Sequence, residues 1–349
     1  MELPDDILQG IRRRAPEHDM AGTWPEADLA ALAATDVLRG CIPEAYGGLG
    51  LDAVTMHLAY EQIARYSIAT ALILTQRDAA VSMIEPTDNP ALKDRWLPAL
   101  ARNELFATVG ISQLTTSRQF GRAAVQADEA TGGWHLAGEV PWATGAAAAD
   151  VIVVGGVTAD GGQGLFAVET SQKGVHVQPP PTLVAMAATQ TTAVTLQDVF
   201  VPEGSRCLGP AEGVLGLRRK GVPIGQAFLS LGLCQAAIDV MREIDDDRVD
   251  ETASSSENEL ATLRNSVLQF CSGGHSPFVD GSQLRAETID LAVRLSHVAV
   301  ALHKGAALRS DHPAQRLARE AMFLLVWSCP TVVRDCTIDL LVPGYLTNG

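Results

Sequence analysis

The spacing of apolar positions divides the chain into three stretches, and the first, up to about residue 105, predicts helices. Residues 25–32 begin with a proline and continue with acidic residues, which is typical of a helix N-terminus. Apolar residues repeat with helical periodicity from about residue 52 to 82, so we expect one long helix there. Pro43 and the pair Gly47-Gly48 break the chain between these two segments.

Between about residues 106 and 205 the pattern changes to short β-branched or apolar runs. Turn residues separate them, at Gly132-Gly133, at Gly161-Gly162 and at three consecutive prolines, 179–181. The runs are residues 123–127, 134–136, 151–154, 165–168, 175–177 and 192–196. Their fairly regular spacing predicts an antiparallel sheet or barrel.

From about residue 206 onward the pattern is helical again. The predicted helices cover residues 222–244, 259–270, 282–310 and 314–341. We expect the acidic residues 245–258 to form a helix end and a loop, and Gly273-Gly274 to break the chain. The result is an α+β fold with an N-terminal helical domain (residues 1–105), a β-barrel-like middle domain (106–205) and a C-terminal helical bundle (206–349).

Composition narrows the classes of function that this chain can have. Among 349 residues, 47% are apolar and 19% are charged, which indicates a folded core rather than disorder. The net charge of −15 disfavours nucleic acid and anionic membrane surfaces as partners. The densest basic runs, 12–14 and 218–220, are short; either can contact an anionic ligand, but a solvated surface is the preferred interpretation.

The expected localisation and metal content follow from the start of the chain, its apolar runs, and its cysteines and histidines. The acidic start lacks the basic and apolar regions of a signal peptide, and no unbroken apolar run is long enough to span a membrane, so we expect a cytoplasmic protein. The six cysteines form no C-x-x-C pair, and the eight histidines are scattered, so we expect reduced thiols and no metal site.

Four motifs occur in order along the chain, and together they carry a resemblance to a known family. Residues 43–50 resemble the P-E-x-Y-G-G-x-G segment of the acyl-CoA dehydrogenase superfamily, and residues 133–138 its G-W-x-L-x-G strand and turn. Residues 142–150 are similar to its W-x-T-G-x-x-x-A-D segment, and residues 196–202 to x-x-D-V-x-V-P. Each motif alone describes an ordinary turn, but four in family order are specific.

The resemblance implies FAD bound between the β-domain and the C-terminal helices, in a homodimer or homotetramer. An isoalloxazine ring is flat and mostly apolar, with polar atoms on one edge, so it needs an aromatic face and a few hydrogen-bonding groups. By resemblance Trp142 supplies the face, and Thr144, after Ala143, donates to the reactive ring nitrogen. Ser112-Gln113 stands where the family has a T-E pair, so Ser112 contacts the pyrimidine side. Core packing is the alternative role for Trp142.

Arg248 is a further residue that the resemblance assigns to the cofactor. Residues 235–248 look like the family's long helix that ends in R-x-x-F-G, whose arginine pairs with the FAD pyrophosphate of a neighbouring subunit. Here Glu251 replaces the aromatic residue and Thr252 the glycine. An exposed arginine beside the aspartates at 245–247 is an equally good interpretation.

Departures from the family concern its catalytic glutamate. At one of the two places where the family carries it, this chain has Val222-Pro223. At the other, residues 340–344 stand where the family has G-G before the glutamate segment, and no such segment follows. The P-x-A-G-S-D loop is also replaced, by residues 114–119. The catalytic residue therefore stays unassigned.

Three functions remain compatible with the sequence. The preferred one is a FAD-dependent oxidoreductase that acts on an acyl thioester or related small molecule without the usual glutamate, through another base or as a monooxygenase served by a flavin reductase. The second is a non-catalytic or cofactor-poor subunit that completes the site of a longer homologue. The third is a flavin-independent enzyme on the same fold. Against the third, no G-x-S-x-G motif occurs, and Cys234 lies on an apolar helix as an expected core thiol.

Overall fold

The N-terminal part of the protein consists of five α-helices. The computed structural model describes residues 1–115, 125–218, 221, 224–273 and 280–343. The helices are α1 (Asp5–Ala21), α2 (Glu26–Ala33), α3 (Ala53–Ala64), α4 (Ile68–Ile84) and α5 (Pro90–Ala101). Two short 3₁₀ turns, Val37–Arg39 and Glu44–Tyr46, lie between α2 and α3 at the predicted Pro43 break. The predicted N-terminal helical domain is confirmed.

The prediction of one long helix from residue 52 to 82 is wrong, because the segment forms two helices, α3 and α4. Ser67 adopts an extended conformation, and its hydroxyl accepts a hydrogen bond from the Thr70 amide, so it caps the start of α4. A capping side chain competes with the helical backbone for its hydrogen bonds. Apolar periodicity runs through the break and therefore does not reveal it.

The described residues of the middle part form one eight-stranded sheet. Its strands are β1 (Ala107–Gly110), β2 (Val125–Ala130), β3 (Gly133–Ala143), β4 (Val151–Val157), β5 (Gln163–Glu169), β6 (Val175–Val177), β7 (Thr192–Pro202) and β8 (Arg206–Ala211). The order is β6-β7-β3-β2-β4-β5-β8, with β1 beside β4. Pairing is antiparallel except where β4 meets β1 and, at one residue pair, β2. All six predicted runs contain a strand, although residues 123–124 lie outside the described part.

Five further helices follow the sheet in the described residues after 211. They are α6 (Ala227–Met241), α7 (Asp247–Cys271), α8 (Gly281–His303), α9 (Pro313–Leu324) and α10 (Thr331–Leu341). Helix α6 is buried on almost every face and packs against α3, α7, α8 and α9. The Arg65 guanidinium pairs with the Asp239 carboxylate at 2.6 Å and joins α3 to α6. No helix in the described ranges is both long and apolar enough to cross a membrane.

Two predictions for the C-terminal part are wrong. Residues 245–258 are not a loop, because α7 begins at Asp247 and the Asp246 side chain accepts from the Arg248 amide at 2.9 Å. A carboxylate cap stabilises a helix start even in a polar segment. Arg248 therefore lies in the first turn of α7, not at the end of a helix that begins near residue 235. The predicted helix 314–341 is two helices, since Pro330 separates α9 from α10.

The apolar core has one part in the helices and two parts on the faces of the sheet. In the first part, residues of α3 and α4 pack against α6. Ile63 of α3 and Phe228 of α6 are fully buried there. One face of the sheet packs against α4 and α5, and the other carries Phe166 and Val194. Helices from both ends of the chain and the sheet thus meet around α3 and α4.

Candidate functional site

A large cavity lies where the N-terminal helices, the sheet and the C-terminal helices meet. Its volume is about 820 Å³, within the usual range for small-molecule and cofactor sites. The wall is formed by α3 and α4, the end of β3, the turn before β7, the residues before α6 and the end of α9. Apolar residues outnumber polar ones along its wall, and hydroxyl, amide and charged side chains also line it.

Three of the six predicted site residues line this cavity together: Ser112, Trp142 and Thr144. Trp142 is 49% exposed although it is a large aromatic residue, so it is not core packing. Thr144 is buried two residues further along the chain. The Ser112 Oγ atom is buried and has no hydrogen-bond partner among the described residues. An unpartnered buried hydroxyl costs free energy unless a ligand satisfies it.

The other three predicted residues lie outside the cavity wall. Gln113 donates to the carbonyls of Gly110 and Gly155, at 2.8 and 2.7 Å, and so joins β1 to β4. Ala143 is fully buried in the core of the sheet. Arg248 is exposed on α7, as a residue that reaches a neighbouring subunit would be. Their contacts with a cofactor stay predictions.

A chain of threonine hydroxyls lies behind Thr144, and sequence reasoning missed it. The Thr144 and Thr191 Oγ1 atoms are 3.0 Å apart, and Thr191 and Thr189 are 2.7 Å apart. The Thr189 hydroxyl donates to the Met186 carbonyl at 2.7 Å. The sequence does show three threonines between residues 189 and 192. No local pattern connects them with Thr144, which lies 47 positions before Thr191.

The turn that holds these hydroxyls is strained and tightly anchored. Met186 and Gln190 both have left-handed backbone conformations, with φ of 63° and 49°, which non-glycine residues rarely adopt. The Thr189 carbonyl accepts a hydrogen bond from the Gly145 amide at 2.9 Å. Gly145 has φ +63°, and a Cβ there would lie 2.5 Å from the Trp24 ring, so the glycine of the W-x-T-G motif is required.

A buried polar cluster forms the floor of the cavity. The Tyr60 hydroxyl donates to Asp78 Oδ2, and the Arg77 guanidinium pairs with Asp78 Oδ1 at 2.5 Å. Arg77 also donates to the Leu100 carbonyl at 2.8 Å. Burial raises the pKa of Tyr60 well above its usual value, so it remains a neutral donor. Both oxygens of the Asp78 carboxylate are thus engaged by protein groups.

His57 lies beside this cluster and lines the cavity. Its Nδ1 atom is 2.6 Å from the Ala53 carbonyl; a carbonyl only accepts, so Nδ1 carries the hydrogen. Burial lowers the pKa of the ring, which is therefore neutral at neutral pH. Its Nε2 atom is left as a bare acceptor with no hydrogen-bond partner among the described residues. Gly225 approaches this nitrogen so closely that a Cβ would be 2.3 Å from it.

The rim of the cavity is apolar, with one cation. Val184, Met322 and Val326 line it and are exposed, as is Trp142. Arg218 also lines it, and partial burial lowers its pKa. Within the described part of the chain, Arg218 makes no ion pair, and Asp78 and Arg218 are the Asp, Glu, Lys or Arg residues that line the cavity. Residues 219–220 of the basic run lie outside the described part.

Three other points of the sequence analysis concern Cys234, Val222-Pro223 and metal ligands. Cys234 is fully buried, and desolvation raises its pKa, which fits the expected core thiol. The position where Val222-Pro223 replaces the glutamate lies outside the described residues. Over the described ranges, no group of three or more His, Cys, Asp or Glu side chains is arranged to hold a metal ion.

Comparisons with known proteins agree on the family. A family model described as acyl-CoA dehydrogenase, N-terminal domain, matches residues 8–104. An acyl-CoA dehydrogenase of Bacillus subtilis is 23% identical over 330 residues, which cover 88% of this chain and 86% of that protein.

Solved structures show the same fold over almost the whole chain. Butyryl-CoA dehydrogenase from Megasphaera elsdenii superposes with a TM-score of 0.80 at 20% identity, covering 98% of this chain and 99% of that one. Dibenzothiophene monooxygenase from Paenibacillus sp. A11-2 has a TM-score of 0.76 at 16% identity, covering 97% and 95%. The four motifs, the match of residues 8–104 to the family model and the shared fold all support the acyl-CoA dehydrogenase superfamily.

Proposed function

We propose that this protein is a FAD-dependent oxidoreductase that acts in the cavity on an acyl thioester or a related small molecule. The observation that carries the proposal is the exposed ring of Trp142 beside the Thr144 hydroxyl and the Ser112 Oγ, which has no hydrogen-bond partner among the described residues. A flat ring system with polar atoms along one edge satisfies all three groups at once. When bound, the flavin supplies two-electron chemistry that no side chain provides.

The chain's own residues divide the remaining tasks. Trp142 and Thr144 hold the ring, and Ser112 gives its hydroxyl to a polar ring edge. The largely apolar wall takes the body of the substrate, and Arg218 at the rim attracts an anionic part such as the phosphates of a thioester carrier. Arg248, exposed on α7, is available to a neighbouring subunit, so we include a homodimer or homotetramer in the proposal.

His57 is the proposed proton acceptor in place of the missing glutamate. A general base must reach the proton that it removes and must be unprotonated at the working pH. The neutral ring presents a bare Nε2 on the cavity, whereas the one described carboxylate on the cavity wall, Asp78, is already engaged by Tyr60 and Arg77. This arrangement supports a base of a different residue type.

A reductase-dependent monooxygenase is the second candidate within the same proposal. It is favoured by the lack of an unengaged carboxylate among the described cavity-lining residues, because oxygen activation by reduced flavin needs no carboxylate base. Dibenzothiophene monooxygenase has the same fold, and the similarity extends to the fold alone.

Titration with FAD tests the proposal. We expect the purified protein to retain a visible flavin band after gel filtration, and Trp142→Ala to weaken FAD binding at least tenfold through loss of the aromatic face. Phe200→Ala is the matched control, since Phe200 is also exposed, at 39%, but lies on β7 outside the cavity.

Failure to retain FAD at high concentration would leave the cofactor-poor subunit or the flavin-independent enzyme as the explanation. Co-purification with a longer homologue would then support the subunit. Equal FAD affinity in the Trp142 and Phe200 variants would show that the ring binds elsewhere.

A further inference from the structure

One polarity of the hydrogen bonds behind Thr144 makes the largest number of bonds within the protein. The Met186 carbonyl accepts from the Thr189 amide at 2.9 Å and from the Thr189 hydroxyl at 2.7 Å. A hydroxyl has a single hydrogen, so Thr189 has none left for Thr191. Thr191 must therefore donate to Thr189, and Thr144 must donate to Thr191.

This polarity determines what Thr144 offers to a ligand. Its hydrogen is used within the protein, so its Oγ1 atom presents lone pairs to the cavity. If Thr144 is to donate to a ligand instead, there are two ways. Either Thr144 alone turns and loses its bond to Thr191, or all three hydroxyls reverse and the Met186 carbonyl keeps only the Thr189 amide. Either change leaves one fewer hydrogen bond within the protein.

The surrounding backbone prevents the hydroxyls from moving apart. Thr189 is fully buried, and its carbonyl accepts from the Gly145 amide next to Thr144. The Gln190 side chain donates to the Gly22 carbonyl and anchors the turn to the end of α1. Met186 and Gln190 keep left-handed conformations at either end of the turn, so the acceptor position is held by a preorganised, strained segment.

We propose that this threonine chain makes the site select the reduced flavin over the oxidised one. The inference rests on the proposed function, because it takes the flavin as the ligand beside Thr144. Two-electron reduction turns a bare ring nitrogen, which accepts hydrogen bonds, into an N–H group, which donates them. Thr144 accepts from the reduced form without any change, whereas donation to the oxidised form costs one hydrogen bond within the protein.

The expected preference is that of one ordinary hydrogen bond, roughly two- to tenfold in dissociation constant. A tenfold preference raises the midpoint potential of a two-electron couple by about 30 mV. Such a preference suits a protein that receives reduced flavin from a partner, as the monooxygenase form of the proposed function requires.

Three variants test the threonine chain. Thr191→Val removes the acceptor of the Thr144 hydrogen, so that the Thr144 hydroxyl can turn toward a bare ring nitrogen. Thr191→Ser is the conservative variant, because it keeps the hydroxyl. Thr192→Val is the matched control, since Thr192 is a neighbouring threonine on β7 whose hydroxyl donates to the Gln178 carbonyl at 2.9 Å, away from the chain. The dissociation constants of oxidised FAD and of anaerobically reduced FAD are measured for each protein.

We expect the wild type, Thr191→Ser and Thr192→Val to bind reduced FAD more tightly by roughly two- to tenfold, and Thr191→Val to lose the preference. A wild type without a preference, or a Thr191→Val variant that keeps it, overturns this inference alone. A wild type that binds neither form of FAD overturns the proposed function as well.

Discussion

The Tyr60 hydroxyl donates a hydrogen bond to Asp78 Oδ2 at the floor of the cavity, and both side chains are buried. The two residues lie on different helices, α3 and α4, into which the predicted single helix divides. The carboxylate accepts on its other oxygen from Arg77, so the bond completes a cluster in which every charge has a partner. Each of its members is therefore expected to matter for stability.

Removal of the Tyr60 hydroxyl is expected to destabilise the protein. Tyr60→Phe leaves a buried carboxylate oxygen without its donor, which costs about 1–3 kcal/mol of unfolding free energy. Urea denaturation of both proteins measures the difference. Tyr66→Phe is the control, because Tyr66 is also buried but its hydroxyl has no hydrogen bond to a described residue. Equal effects of the two substitutions would contradict the role of the Asp78 contact.

The Arg316–Glu320 pair allows a second stability test. The two side chains are 2.9 Å apart on α9 and almost fully buried. Arg316→Met leaves the Glu320 carboxylate buried without its partner, and we expect a loss of about 3–5 kcal/mol in unfolding free energy. The double variant Arg316→Met/Glu320→Leu should recover most of it, because no charge then remains buried. A double variant as unstable as the single one would show that packing, not charge, causes the loss.

His57 should make stability depend on pH. Burial holds its pKa below the ordinary value of 6.5, so below that pH the unfolded chain binds more protons than the folded protein. Unfolding free energy therefore decreases as pH falls through this range. His57→Gln should flatten the decrease between pH 7.5 and 5, measured by denaturation at each pH, whereas substitution of the exposed His176 should not. Asp78 partly opposes the effect, since its charge favours the imidazolium.

Gly225 and His57 are expected to be energetically coupled. A Cβ at Gly225 would lie 2.3 Å from Nε2, so Gly225→Ala must displace the ring, at about 1–3 kcal/mol. In a His57→Ala background the same substitution should cost much less, which a double-mutant cycle detects as a coupling energy of about 0.5–3 kcal/mol. Gly221→Ala is the control, because no atom lies within 4 Å of its Cβ position. Additive effects would mean that Gly225 moves without the ring.

His57→Gln also tests the proposed proton acceptor. Once a substrate is known, we expect kcat to fall roughly 100- to 10,000-fold, while FAD binding remains unchanged. The pH profile of kcat/KM should lose its acidic limb, since the group that must be unprotonated is gone. Retention of full turnover with the glutamine would assign the base to another residue.

Much of the fold was predictable because it depends on local patterns. The change from helical to strand periodicity near residue 106 locates the sheet, and turn residues separate its strands. The break at Ser67 and the start of α7 at Asp247 were missed for one reason: a single capping side chain decides each of them, against the wider pattern. Strands β1 and β8 were missed as well, since β1 is short and buried throughout, and β8 contains Gly209-Pro210.

The sequence by itself determined the order of helices and strands, the four family motifs and the pairing of Trp142 with Thr144, because these depend on neighbouring residues. Only the tertiary structure decided which side chains share the cavity. It brings Thr191 to Thr144, Tyr60 to Asp78 and Gly225 to His57, each across more than 15 positions of the chain. Such contacts depend on how helices and sheet pack, and on which hydroxyl has a hydrogen left to donate, and neither is encoded in local spacing.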